Sequence, residues 1–117
     1  MKGKEEKAMS EDRYNGWRNY ETWAVNLWLS NEEYTYRYWR ERAQEAWEDA
    51  EPTEVWTREQ SAKFQLADTL KEQIQEGAPT ASLDGTMYAD LLNAALSEVD
   101  WGEIAEAWLG DVDKSND

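Results

Sequence analysis

Carboxylates are the only abundant side chains in this chain that could act as acids, bases or metal ligands. The 117 residues include 26 Asp and Glu but neither His nor Cys, which excludes imidazole bases, thiol nucleophiles, disulfides and the usual zinc ligands. Three acidic pairs lie close in sequence, as magnesium ligands often do: Glu32-Glu33, Glu48-Asp49 and Asp111/Asp113. Each pair is also explained by a helix end or a solvated face.

Nucleophilic catalysis has even less support. The serines have no histidine to activate them, and none lies in a Gly-x-Ser-x-Gly elbow. The sequence also has no glycine-rich loop that could cradle a phosphate. We therefore predict that the protein is not an enzyme and that it uses no cofactor.

The strongest global feature is acidity. With 12 basic against 26 acidic residues the net charge is −14, which repels nucleic acid and anionic membranes and favours basic protein partners. Solubility is the competing explanation of the same charge. No apolar run is long enough to cross a membrane, and residues 1–13 lack a signal-peptide core. These features predict a soluble, cytoplasmic protein.

The acids are segregated from the bases, which favours a role in binding. No base lies between Arg42 and Arg58, and none lies between Lys71 and Lys114. Rows of carboxylates can imitate the phosphates of DNA coarsely, so a basic DNA-binding protein could accept them. We predict two groups of partner-binding acids: Glu45, Glu48, Asp49, Glu51 and Glu54, and Glu98, Asp100, Glu103 and Glu106.

The chain is also rich in aromatic residues, with eight Trp and six Tyr. Aromatic platforms that stack on single-stranded nucleic acid sit in basic grooves, and this sequence offers no such groove. Most of the tryptophans are therefore predicted to be core residues. Trp39, Trp47 and Trp56 lie in the most charged neighbourhoods and are predicted to face a partner.

The most aromatic stretch, Tyr14 to Asn31, is predicted to form the central helix. Asn15-Gly16 is typical of a turn, because both residues tolerate positive φ. Asn19 then fits the N-cap of a helix that ends at about Leu29. This helix is apolar on most sides, which is typical of a helix buried on most sides. We expect it to be the hub against which the other helices pack.

Four further helices are predicted, so the fold class is all-α: one compact domain of about five short helices. Their spans are about 30–50, 57–77, 86–99 and 100–110, and capping boxes are predicted at Ser30/Glu33, Thr57/Gln60 and Asp100/Glu103. Each of these helices has an apolar face with helical periodicity, and the residues on these faces are Tyr36, Trp39, Ala43, Ala46, Trp47, Ala50, Phe64, Ala67, Leu70, Ile74, Tyr88, Leu91, Leu92, Ala95, Val99, Trp101, Ile104, Ala105 and Trp108. Those of the fourth helix, from Tyr88 to Val99, are predicted to face inward. The domain occupies residues 14–110, between a disordered tail at 1–13 and an acidic tail at 111–117.

Two segments resemble a known family. The pattern GW-x-NYETW-x-V-x-LWL-x-N at Gly16 to Asn31 is similar to the signature of uncharacterised small acidic proteins from bacteriophages, plasmids and some archaeal and bacterial genomes. The stretch Ala89 to Leu109, with W-x-EIA at Trp101 to Ala105, resembles the end of the same family. The resemblance implies a mobile genetic element as the source. Small acidic proteins of such elements often block host nucleases.

Charge and resemblance together give two functional hypotheses. The first is an inhibitor of the anti-CRISPR or anti-restriction type, which binds a basic host defence protein as a DNA mimic and does not itself bind nucleic acid or membranes. The alternative is a small non-catalytic interaction or assembly module, in which the aromatic hub forms a homodimer. The burial of Trp17, Trp23 and Trp28 within one chain distinguishes the two.

Overall fold

The computed structural model describes residues 13–79 and 83–114. In these two ranges the chain forms five α-helices and no strand, which confirms the predicted all-α domain. We number them in chain order: α1 Tyr20–Asn31, α2 Glu33–Asp49, α3 Arg58–Gly77, α4 Met87–Ser97 and α5 Trp101–Leu109. The predicted N-terminal tail lies outside the described residues except for Arg13, and residues 115–117 of the acidic C-terminal tail lie outside them too.

Local polar signals place most of the helix starts. Side-chain oxygens of four N-cap residues accept backbone N–H bonds at the start of α1, α3, α4 and α5; the caps are Asn19, Thr57, Thr86 and Asp100. The Thr57/Gln60 capping box is complete. The predicted turn at Asn15-Gly16 is also present, because both residues have positive φ (49° and 88°) and Tyr14 and Trp17 exchange two backbone hydrogen bonds across it.

The predicted capping box at Ser30/Glu33 is wrong. Helix α1 continues to Asn31, and Glu32 is the N-cap of α2 without a side-chain capping bond. The Ser30 hydroxyl instead donates to the carbonyl oxygen of Asn26, at 2.8 Å. A serine within a helix can return its hydroxyl to the carbonyl four residues earlier, so it is lost as a cap.

Helices α3 and α5 form the centre of the core, and α2 packs across both. The buried core residues of these three helices are Trp39, Ala43, Ala46, Trp47, Ala62, Leu66, Leu70, Trp101, Ile104, Ala105, Trp108 and Leu109. All of them recur at spacings of three or four within their helix, as expected for one covered face.

Helix α1 is not the hub that its composition suggested. Only Thr22 and Leu29 of α1 are buried, whereas Tyr20 is 54% and Trp28 is 68% exposed. The helix contacts α2 and α5 with one side, and the opposite side remains open although it is also apolar. Apolar composition therefore did not determine how many sides of α1 are covered.

Several residues of the predicted apolar faces lie outside the core. Tyr36 is 41%, Phe64 is 43%, Tyr88 is 63% and Leu91 is 60% exposed, so helical spacing is a wrong guide to burial at these four positions. In α3 the buried stripe runs through Leu66 and Leu70 at a spacing of four, and Phe64 is two residues away from it. A helix positions residues two apart on different sides.

Part of the predicted acidic C-terminal tail is docked on the domain. Val112 packs against the core. The backbone N–H of Asp113 donates to Oε1 of Gln44, and Nε2 of Gln44 donates to the Asp113 carbonyl oxygen, each at 2.9 Å. The folded domain therefore includes residues 111–114.

Candidate partner-binding surface

The acidic loop, which we define as residues 48–56, comprises the last two residues of α2 and the connection from α2 to α3. It contains four acids and no base. Helix α2 ends at Asp49, and Ala50 is extended (φ −73°, ψ 142°). Pro52 disfavours helical geometry at Glu51, which explains why the helix ends here. Ala50 is still buried in the core, and residues 51–56 after it are exposed.

Hydrogen bonds of Thr53 give the loop a defined shape. Oγ1 of Thr53 accepts from the backbone N–H of Val55 at 3.2 Å and of Trp56 at 2.9 Å. The Thr53 N–H donates to the Trp56 carbonyl oxygen at 2.8 Å. These bonds close a turn over residues 53–56, so the loop has less conformational freedom to lose when it binds a partner.

Arg58 fixes the base of the acidic loop. Its Nε and Nη2 donate to the carbonyl oxygen of Trp47 at 3.1 and 2.8 Å, and its guanidinium lies 4.2 Å from the Trp47 ring centroid. A cation at this position satisfies an open carbonyl near the C-terminal end of α2. It thereby ties the first turn of α3 to the last turn of α2.

Next to the acids lies an apolar patch, which we define as Val55, Trp56 and Phe64. Val55 is 73% exposed, and Trp56 and Phe64 are each 43% exposed. The Trp56 and Phe64 rings meet edge to face, with centroids 4.8 Å apart, so the patch is ordered by packing within the chain. The sequence predicts an exposed Trp56 but not the other two, because Phe64 has the spacing of a core residue and Val55 carries no distinguishing signal.

The first predicted acidic group is mostly open to solvent. Asp49, Glu51 and Glu54 are exposed and make no ion pair within the described part of the chain, while Glu48 accepts one bond from Gln44 at 3.2 Å. The acidic loop therefore presents four carboxylates that no cation neutralises among residues 13–79 and 83–114.

Glu45 differs from the rest of this group, because it is paired with Arg42. Nη2 of Arg42 lies 2.8 Å from Oε2 of Glu45. Tyr38 and then Glu45 stabilise this cation and raise the pKa of Arg42 above its ordinary value. A second ion pair on α2 joins Arg37 and Glu33, at 3.2 Å.

The second predicted acidic group is used largely inside the chain. Oε2 of Glu103 accepts from Arg13 at 2.6 Å, and Oε1 accepts from the backbone N–H of Arg18 at 2.9 Å. Asp100 caps α5 through the N–H of Glu103, and its other oxygen lies 3.7 Å from Arg18. These two carboxylates attach the N-terminal segment to α5.

Glu98 and Glu106, the other two members of the second predicted acidic group, are exposed. Glu106 lies 3.7 Å from Nζ of Lys63. Glu98 accepts a bond from Asn19 at 2.6 Å through its backbone carbonyl. Three of the four acids in this group therefore have a cation nearby. Less of their negative charge is available to a partner than in the acidic loop.

Trp39 and Trp47 are core residues, so the prediction that they face a partner is wrong. They are 5% and 6% exposed, whereas Trp56 is 43% exposed. Trp39 and Trp47 lie on the same helical stripe as Ala43, and this periodicity is a better guide to burial than the charged residues between them.

A cleft of ≈ 370 Å³ lies among α2, α3 and α5, bordered by Trp47. Its rim carries the Lys63–Glu106 pair and a second pair, Lys114 with Glu59 at 4.0 Å. Within the described ranges no three acidic side chains come close enough together to hold a metal ion. No helix there has the length and apolar character needed to cross a membrane.

These features define a small acidic helical protein with an ordered, charged surface loop. The chain belongs to a family of unknown function, DUF7249, whose model matches residues 10–105. The match includes the Gly16–Asn31 segment and the whole acidic loop. No curated protein and no solved structure matches the chain.

Proposed function

We propose that the protein is a non-catalytic inhibitor, encoded by a phage or plasmid, that binds a basic nucleic-acid-handling protein in the host cytoplasm. A defence nuclease complex of the CRISPR or restriction type is the expected target. One observation carries the proposal: the acidic loop presents Glu48, Asp49, Glu51 and Glu54 without a neutralising cation in the described chain, beside the exposed apolar patch.

The two parts of this surface have different roles. Carboxylates attract a basic groove over long distances and increase the association rate. An exposed aromatic side chain beside them supplies the apolar contact that slows dissociation. The acidic loop would occupy the position of the phosphates of a bound nucleic acid, while Val55 and Trp56 would contact the groove wall.

The proposed contact uses only the first of the two predicted groups of acids. Glu103 and Asp100 are bonded to Arg13 and Arg18 within the chain, so their exposure to a partner would require breaking those bonds. Binding through the acidic loop requires no such change.

A capture experiment with charge-matched variants tests the proposal. The loop variant carries E48Q, D49N, E51Q and E54Q. The control variant carries E32Q, D68N, E72Q and E76Q, which neutralise four exposed acids elsewhere that make no ion pair in the described residues. Both variants have the same net charge, so an effect of overall acidity changes them equally.

We expect the wild type and the control to capture a basic nucleic-acid-binding protein from host lysate, and the loop variant to lose it. Added DNA should displace the captured protein, and salt should weaken the complex. Equal capture by both variants, or capture that DNA leaves unchanged, would contradict binding at a nucleic-acid groove.

A further inference from the structure

Helix α4 has apolar residues on two opposite sides. One side faces the domain: Ala89 is buried, and Leu96 packs against the core. The other side is open, with Met87 64%, Tyr88 63% and Leu91 60% exposed. Large apolar side chains on both sides are typical of a helix that is covered on both sides.

The contacts of α4 within the chain are sparse. Among the described residues, the pairs of helices with extensive contacts are all formed from α1, α2, α3 and α5. None of these pairs includes α4. A helix of 11 residues is marginal in water without tertiary packing. A surface that covers the open side of α4 would therefore stabilise it.

The charge on this helix favours a second copy of the chain over a basic partner. Asp90 is the only charged residue from Met87 to Ser97, so the open side offers almost nothing to pair with lysines or arginines. In a twofold-symmetric dimer, each side chain near the axis meets its own counterpart. An acidic face would repel itself there, but this nearly uncharged face does not.

The sizes of the side chains also make the face complementary to itself. The large residues Met87 and Tyr88 lie at the start of α4, the small residues Ala94 and Ala95 lie near its end, and Leu91 lies between them. In an antiparallel pair, the large residues of each copy meet the alanines of the other, and the two Leu91 side chains meet at the axis. A parallel pair would place large against large and leave a gap between the alanines.

We propose that the protein forms a twofold dimer in which the open sides of two α4 helices pack antiparallel. The helix is only about 16 Å long, so the contact between two copies is smaller than a standard interface, which buries about 800 Å² per partner. The dimer is therefore weak and forms at high protein concentration. Salt strengthens it, because it screens the repulsion between two copies of charge −14.

The test uses sedimentation velocity over a range from micromolar to submillimolar protein. Leu91→Glu and Leu91→Lys are measured separately and then mixed, because opposite charges at the axis attract only across the two variants. Val55→Glu is the matched control, since it also adds one negative charge to an exposed apolar residue. Leu91 is exposed, so both variants retain the fold, and circular dichroism verifies this.

We expect the wild type and Val55→Glu to dimerise, each Leu91 variant to remain monomeric alone, and the equimolar mixture to form dimers. A monomeric wild type at every concentration overturns the proposal. Dimers that persist in both separate variants, or a mixture that stays monomeric, also overturn it.

This result is independent of the proposed function. The Leu91 variants leave the acidic loop unchanged, and Val55→Glu alters the apolar patch without touching α4. Loss of dimerisation and loss of partner capture are therefore separable.

Discussion

The backbone N–H of Arg18 donates to Oε1 of Glu103 at 2.9 Å, although 85 residues separate them in sequence. The other oxygen of the same carboxylate accepts from Arg13 at 2.6 Å. Glu103 lies in the first turn of α5, so one side chain attaches the segment before α1 to the core helix. An acid that was predicted to bind a partner thus has a structural role.

Replacing Glu103 by Ala should therefore destabilise the domain. The carboxylate is 21% exposed, and its removal leaves the Arg18 N–H without its acceptor, at a cost of about 1–2 kcal/mol. Urea unfolding followed by tryptophan fluorescence measures the change. Glu51→Ala is the control, because Glu51 is exposed and should change the stability little. Equal stability of the two variants would show that the contact with Arg18 contributes nothing.

Neutralising the acids in the last turn of α2 should have the opposite effect. Glu48 and Asp49 lie at the negative end of the helix dipole, and α2 has no basic residue in its last turn. The E48Q/D49N variant should therefore be more stable by about 0.3 kcal/mol per site at low salt. Glu21→Gln, in the first turn of α1, should be slightly less stable, and thermal unfolding at low and high salt compares the variants. A loss of stability in E48Q/D49N would indicate that these acids serve the fold.

Structural features that depend only on residues close in sequence, such as helix caps and buried helix faces, could be predicted. Asn19, Thr57 and Asp100 were identified as caps because each bonds to an N–H only three residues away. The stripe on α2 was identified because helical spacing alone places Trp39 and Trp47 on one face. The prediction that these two tryptophans face a partner is wrong because their helical spacing, and not the charge of their neighbours, decides their burial.

Features that depend on distant contacts could not be predicted. The partner of Glu103 is 85 residues away, so the carboxylate resembled any other exposed acid. Trp28 remains open because no other described helix covers that side of α1, and nothing within residues 20–31 indicates which side will be covered. The acidic loop was predicted as a charged segment, but neither its closed turn nor its contact with Phe64 could be predicted from the local sequence.

The hydrogen bond between Trp108 and Asn26 should make the effects of replacing these two residues non-additive. The indole Nε1–H donates to Oδ1 of Asn26 at 2.7 Å and connects α5 to α1. We expect W108F and N26A each to destabilise the domain, with a coupling energy of about 1 kcal/mol in a double-mutant cycle. Urea unfolding of the four proteins, followed by circular dichroism, measures it. Additive effects would mean that the hydrogen bond contributes no net stability.

Thr57 and Ser30, which were both predicted to begin a capping box, should respond differently to replacement by alanine. Thr57 accepts from the N–H of Gln60, and the Gln60 side chain accepts from the Thr57 N–H, so both bonds of the capping box are present at α3. Thr57→Ala should cost about 1 kcal/mol and lower the melting temperature by about 4–8 °C for a domain of this size. Ser30→Ala should stay within about 0.5 kcal/mol of the wild type, because within the described residues the exposed Ser30 hydroxyl bonds only to carbonyl groups of its own helix. Calorimetry of both variants gives the comparison. A large loss in Ser30→Ala with none in Thr57→Ala would reverse the assignment of the caps.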